Sequence, residues 1–255
     1  MIKFFRKIRY NLMSENKTGK YFKYAIGEII LVVIGILIAL QINNWNENRK
    51  SDIQELSALN NIHRDFLKNK EILEEVKSSS LLTLQSGIKI LNHTGNKIKP
   101  DSESTFNDWL NQLFNGKPYY PQNSFLDDLL SSGKLGIFKN TELRNLLSSW
   151  KPQVEILEER FIAVDKNEII LNSYVIEHAS WLNADMVDDK NRNVTFPKSG
   201  FIVDNRNLLE GLQFENLVEN VVIHVDSYYS TQKKIEKLLD EIILLLETEI
   251  KKAND

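Results

Sequence analysis

Tyr24 to Ile42 reads YAIGEIILVVIGILIALQI, and from Ile29 to Leu40 no side chain is polar. At about 1.5 Å per residue the stretch makes about 28 Å of helix, close to the hydrocarbon thickness of a bilayer. Two other roles suit it poorly. A cleaved signal peptide would have an unusually long basic leader, and Ala39-Leu40-Gln41 is a poor small-x-small cleavage site. A core helix would show an amphipathic pattern and would lack such strongly polar flanks. The stretch is therefore read as a transmembrane helix, residues 24–42, between a short N-terminal segment, residues 1–23, and a large domain, residues 43–255.

The flanks set the expected orientation. Lys3, Arg6, Lys7, Arg9, Lys17, Lys20 and Lys23 precede the span against Glu15 alone, while only Arg49 and Lys50 follow closely. Basic residues resist translocation, so residues 1–23 are expected in the cytoplasm and residues 43–255 beyond a membrane crossed once, in the periplasm of a Gram-negative cell or outside a Gram-positive one. Ile2, Phe5, Ile8 and Leu12 recur at helical spacing among the basic residues. They suit either a short amphipathic helix on the cytoplasmic leaflet or a plain basic leader. The net charge of -3 conceals this asymmetry. The remainder of the chain is mildly acidic, which argues against a nucleic-acid partner, because phosphate binding needs a clustered positive face. Without cysteine there is no disulfide, thiolate metal site or cysteine nucleophile.

Inside the span, Glu28 lies about one turn into the apolar run, where an ionisable group costs free energy unless paired, protonated or snorkelling. Gly35 and Ala39 form a small-xxx-small pair that lets two helix backbones approach. At about 100° per residue Glu28, Val32, Gly35, Ala39, Ile42 and Asn46 fall on one stripe. That stripe is a candidate packing face, with coincidence as its rival, since such pairs are common in membrane helices.

Beyond the span no strong turn signal occurs until His93-Thr94-Gly95. Leu59, Ile62, Phe66, Leu73, Val76, Leu84, Ile88 and Leu91 keep mostly helical steps, so the anchor is expected to continue as a long helix. A loop follows to Ser104. Phe106, Trp109, Leu110, Leu113 and Phe114 then mark a short amphipathic helix ended by Gly116 and Pro118. In NSFLDDLLSSGKLGIFKN, Asn123 to Asn140, Asn123 can cap a helix whose apolar face includes Phe125, Leu126 and Leu129, and Gly133 suits the left-handed residue that ends it. Ser132 and Leu135 lie in the turn, and Asn140 can cap a following helix carrying Leu143, Leu146 and Leu147. Pro152 is expected to break or restart that helix, with another long helix from Val154 to Leu182. Asn183 to Asn207 reads as the longest irregular stretch, with short extended pieces near Phe196 and Ile202. The helical steps from Phe214 to Leu246 close the chain with a helix of nearly forty residues, whose expected partner is the helix after the anchor. The fold class is all-α: a transmembrane helix continuing into an extracytoplasmic bundle with long antiparallel helices.

The stretch YAIGEIILVVIGILIALQINNWNENRK, with NSFLDDLLSSGKLG and the later LRNLL, resembles the bacterial family called domain of unknown function 6090. Members of Gram-negative origin keep this anchor closely. The resemblance implies an inner-membrane protein with a periplasmic helical domain, and brings no activity, catalytic residue or ligand. Trp150-Lys151-Pro152 departs from the uninterrupted helix it implies.

Residues that carry chemistry are sparse. His63, His93, His178 and His224 show no metal-ligand spacing, although His63 and His224 stand on the two longest predicted helices and have room to meet. Asp189 to Asn193 opens like a calcium loop, but Val194 replaces the required glycine and Gly200 the bidentate acid. Ser131 and Lys134 satisfy an SxxK spacing that a helix end at Gly133 explains equally well. No catalytic, cofactor or metal site is assigned. The expected partners are the lipid bilayer and either a second copy or an envelope protein. The chain is read as a scaffold or adaptor, with a ligand-sensing domain and an envelope enzyme as alternatives.

Overall fold

A computed structural model describes residues 10, 18–184, 194 and 196–254. The described residues form helices and turns with no strand among them. The first long helix, α1, runs Thr18–Leu91 without interruption, as the absence of a turn signal before His93 requires. It is also the one described helix long and apolar enough to cross a membrane. The chain divides into two compact units, residues 1–56 and 57–255. The amphipathic pattern of Ile2, Phe5, Ile8 and Leu12 lies outside the described residues, as does the calcium-like opening at Asp189 to Asn193.

In the first unit the side chains from Ile29 to Ile42 are exposed on every side of α1. A Cβ placed on Gly27 or Gly35 would meet nothing within 4 Å. Gly35 and Ala39 thus stand on a helix face that the described residues leave uncovered.

In the second unit the same helix buries one stripe, with Leu59, Ile62, Phe66, Leu73, Val76 and Ile90 in the core. After the loop come α2 (Glu103–Leu113), capped by the Ser102 hydroxyl accepting from the Thr105 N–H at 3.0 Å, and α3 (Ser124–Ser131). A short 3₁₀ turn (Lys134–Ile137) leads to α4 (Thr141–His178) and the brief α5 (Trp181–Ala184). A second 3₁₀ turn (Asn205–Glu210) precedes α6 (Leu212–Asn254).

Contacts between α1 and α6 run in opposite numerical order along the two helices. His63 meets Glu247 at 3.4 Å, Lys70 meets Asp240 at 2.5 Å and Lys77 meets Glu236 at 2.6 Å. Deeper in, Gln232 donates to the Ser80 hydroxyl at 2.9 Å, and Thr94 donates to the Glu215 carboxylate. The last helix therefore packs on the helix that follows the apolar stretch, and on α4 through Phe161 with Tyr228 and Tyr174 with Phe214. His63 and His224 do not meet. Glu247, the neighbour of His63, lies on α6 about 35 Å of helix rise from His224.

Polar side chains on the buried face of α1 hold the connecting segments. Ser79 donates to the Asn115 carbonyl, Thr83 to the Gln112 carbonyl at 3.2 Å, and Ser86 to the Gln112 side chain at 2.8 Å. Asn69 donates to the Gln122 carbonyl at 3.1 Å and accepts from the Gln122 N–H at 2.6 Å. Asn205 ties the other end together: its side-chain amide donates to Asn107 and to the Ser180 carbonyl, and accepts from the Ser180 N–H. Each bond satisfies a group whose burial alone would cost about 1–3 kcal/mol.

Two local expectations are corrected. Asn123 makes no side-chain cap on α3; its amide oxygen accepts instead from the indole N–H of Trp150 at 2.9 Å. Pro152 does not break the helix, since α4 passes through it. Trp150 is fully buried and lies 4.9 Å from the Phe66 ring, and Leu147 and Leu157 are buried on either side of the proline. Packing on both sides outweighs the one backbone hydrogen bond that proline removes. Near Phe196 and Ile202 the described backbone forms no strand.

Candidate functional site

The helix-turn-helix of Asn123 to Asn140 forms largely as its sequence implies. Gly133 adopts the left-handed conformation at φ 65°, and its N–H reaches the Leu130 carbonyl at 3.2 Å. Asn140 caps α4 by accepting from the Leu143 N–H at 3.0 Å, and its amide donates to Glu249 at 2.9 Å. Phe125 packs against the core, as does Leu135 in the 3₁₀ turn. The Ser132 hydroxyl donates to the Asp128 carbonyl at 2.6 Å, closing the last turn of α3. Ser131 likewise donates to Asp128, at 3.2 Å, so both serines complete a helix end.

A cleft of about 210 Å³ opens elsewhere on the second unit, between the segment after α2 and the middles of α4 and α6. Its deep wall is formed by Tyr119, Leu157, Phe161 and Tyr228, and its mouth by the exposed Tyr120, Glu158, Ile162 and Asp165. The Tyr119 hydroxyl donates to the Asn69 carbonyl at 3.3 Å, and the Tyr228 hydroxyl to the Lys117 carbonyl at 3.1 Å. With both hydroxyls engaged by backbone, these residues present mainly ring to the cleft. Burial pushes the Tyr228 phenol up to about 12, and the Tyr119 phenol is raised for the same reason. Neither gives up its proton near neutral pH.

One turn beyond Asp165, Glu168 is partly buried beside Gly116. Burial, and after it the negative charge of Asp165, push its carboxyl up to about 7, against the pull of the Gly116 N–H. Its Oε1 has no hydrogen-bond partner among the described residues.

These residues were not singled out by sequence. Glu158, Phe161, Ile162 and Asp165 share one stripe of α4, which periodicity reveals, but Tyr119 and Tyr228 come from segments far away in the chain. Only the packing of three elements brings them together. Among the described residues no group of three or more histidine, aspartate or glutamate side chains is arranged to hold a metal ion.

No curated protein and no solved structure matches this chain. The model of a family of unknown function, DUF6090, matches residues 28–151. The match begins at Glu28 in the apolar stretch, takes in the helix-turn-helix and stops at Lys151, ahead of the acidic groups of the cleft. The anchor and the SSGKL turn point to the same family, and residues 28–151 of this chain belong to DUF6090.

Proposed function

We propose that this protein is a single-pass inner-membrane protein whose helical domain stands in the periplasm and serves as a scaffold or adaptor, with long antiparallel helices as its frame. Support for the anchor comes from Ile29 to Leu40, apolar and uncovered by the other described residues, which is the state expected of a helix whose solvent is lipid. Seven basic residues before the span and two shortly after it support the orientation.

The observation that carries the adaptor reading is a row of isoleucines on α4. Ile162, Ile169 and Ile176 are 60%, 57% and 61% exposed and recur every seven residues, so they line one side of a helix whose other side is in the core. A row of large apolar side chains left open to water suits a surface that another protein covers. A ligand-sensing domain is the second reading, favoured by the aromatic cleft that Ile162 borders.

The test is gentle extraction of tagged protein from native membranes, with native mass spectrometry of what is recovered. A stoichiometric partner that is lost in an Ile162→Ser, Ile169→Ser, Ile176→Ser variant supports the adaptor. Recovery of the chain alone, in both wild type and variant, removes that reading.

A further inference from the structure

The cleft carries an inference that rests on the ligand-sensing reading of the same site, and it shares Ile162 with the isoleucine row. Its charged lining is purely acidic: Glu158 and Asp165 stand at the mouth, and neither lysine nor arginine lines the cavity. On α4 the nearest arginine, Arg160, falls on the far side of the helix at about 100° per residue. Behind the two carboxylates lie the rings of Phe161 and Tyr228, 5.4 Å apart, together with Tyr119. Negative charge in front of aromatic faces is the arrangement that attracts an organic cation, through the carboxylates and the ring quadrupoles together.

Spacing narrows the class. Glu158 and Asp165 are two helical turns apart, about 10.5 Å of rise, whereas a bare metal ion needs its oxygen ligands within about 2.6 Å. Such a separation suits a ligand with a positive group at each end. Between the two acids, Phe161 and Ile162 offer an apolar surface to a methylene chain. The volume of about 210 Å³ is below the usual range of about 300–1,000 Å³ for drug-sized ligands, so a nucleotide is too large and a short aliphatic chain is not.

We propose that this cleft binds an aliphatic diamine or polyamine, one ammonium at Glu158, the other at Asp165, and the methylenes laid over Phe161 and Ile162.

The experiment is calorimetric titration of the full chain in maltoside micelles with cadaverine, pentylamine and 1,5-pentanediol, which share a chain length and carry two, one and no positive charges. Cadaverine is expected to bind saturably and about tenfold more tightly than pentylamine, with pentanediol weaker again. Glu158→Gln and Asp165→Asn replace exposed side chains and are expected to leave the helical circular dichroism unchanged. Each is expected to weaken cadaverine about tenfold and to narrow its advantage over pentylamine; the double variant is expected to abolish that advantage. Absence of saturable cadaverine binding, pentanediol binding as tightly as cadaverine, or unchanged cadaverine affinity in the double variant would each overturn the proposal.

Discussion

Leu37 and Leu73 are both leucines of one unbroken helix, yet the first is 59% exposed and the second fully buried. The stretch around Leu37 is apolar on every side, so no orientation of the helix hides it from its surroundings. Around Leu73 the apolar residues keep to one stripe, and Glu71, Glu74 and Lys77 occupy neighbouring positions. A stripe can be covered by other elements, and here Trp150 of α4 packs on Phe66 while α6 pairs with Lys70, Lys77 and Ser80. A uniformly apolar helix needs an environment that is itself apolar, and the described chain does not supply one. The lesson is that hydrophobic content alone does not decide burial; its angular distribution does.

The sharpest way to break this comparison is a pair of truncations. Leu73→Ala removes buried methyl groups and is expected to cost about 2–5 kcal/mol, whereas Leu37→Ala is expected to shift stability by less than about 0.5 kcal/mol. Denaturant unfolding of the full chain in detergent measures both. Equal losses would mean that the apolar stretch is packed by protein.

The glycines offer a second pair. A Cβ on Gly87 would run into Val222 and lie 3.3 Å from Leu113, so Gly87→Ala is expected to cost about 1–3 kcal/mol through overpacking. Gly35 has nothing within 4 Å, and Gly35→Ala is expected to be neutral or, by better helix propensity, slightly stabilising. A large loss at Gly35 in the same assay would reveal a close partner on the Glu28, Gly35, Ala39 face.

A third effect concerns pH and belongs to the second unit alone. The Glu168 carboxyl, raised from 4.5 to about 7, holds its proton more tightly in the folded chain than in the unfolded one. Its contribution is therefore complete below about 4.5 and is lost as pH rises through about 7. Thermal melts are expected to show Glu168→Gln gaining stability relative to wild type between pH 5 and 8. A constant difference across that range would mean that the site is better hydrated than its burial implies.

Asn123 and Asn140 show where sequence reading reached and where it stopped. Both are residues that cap helices, and both stand just before one. Asn140 caps α4, but Asn123 gives its oxygen to Trp150. A cap is a local bond across three residues, and the competing donor lies 27 residues away, beyond what local spacing encodes. Pro152 makes the same point from the other side: its local cost was legible, but the burial of Trp150 and Leu157 that outweighs it was not. Of the cleft, the α4 stripe was legible and its aromatic wall was not.

By itself the sequence determined the helical class, the presence of the long α1 and α6, the apolar stretch and the turn at Gly133, because each follows from periodicity or from the conformational range of a single residue. Tertiary structure alone decided that Asn123 serves Trp150, that α4 survives Pro152, and that Tyr119, Phe161 and Tyr228 meet behind Glu158 and Asp165. The physical reason is that such outcomes are competitions between a local preference and contacts made across long stretches of chain. The stronger side is known only once the partners are in place.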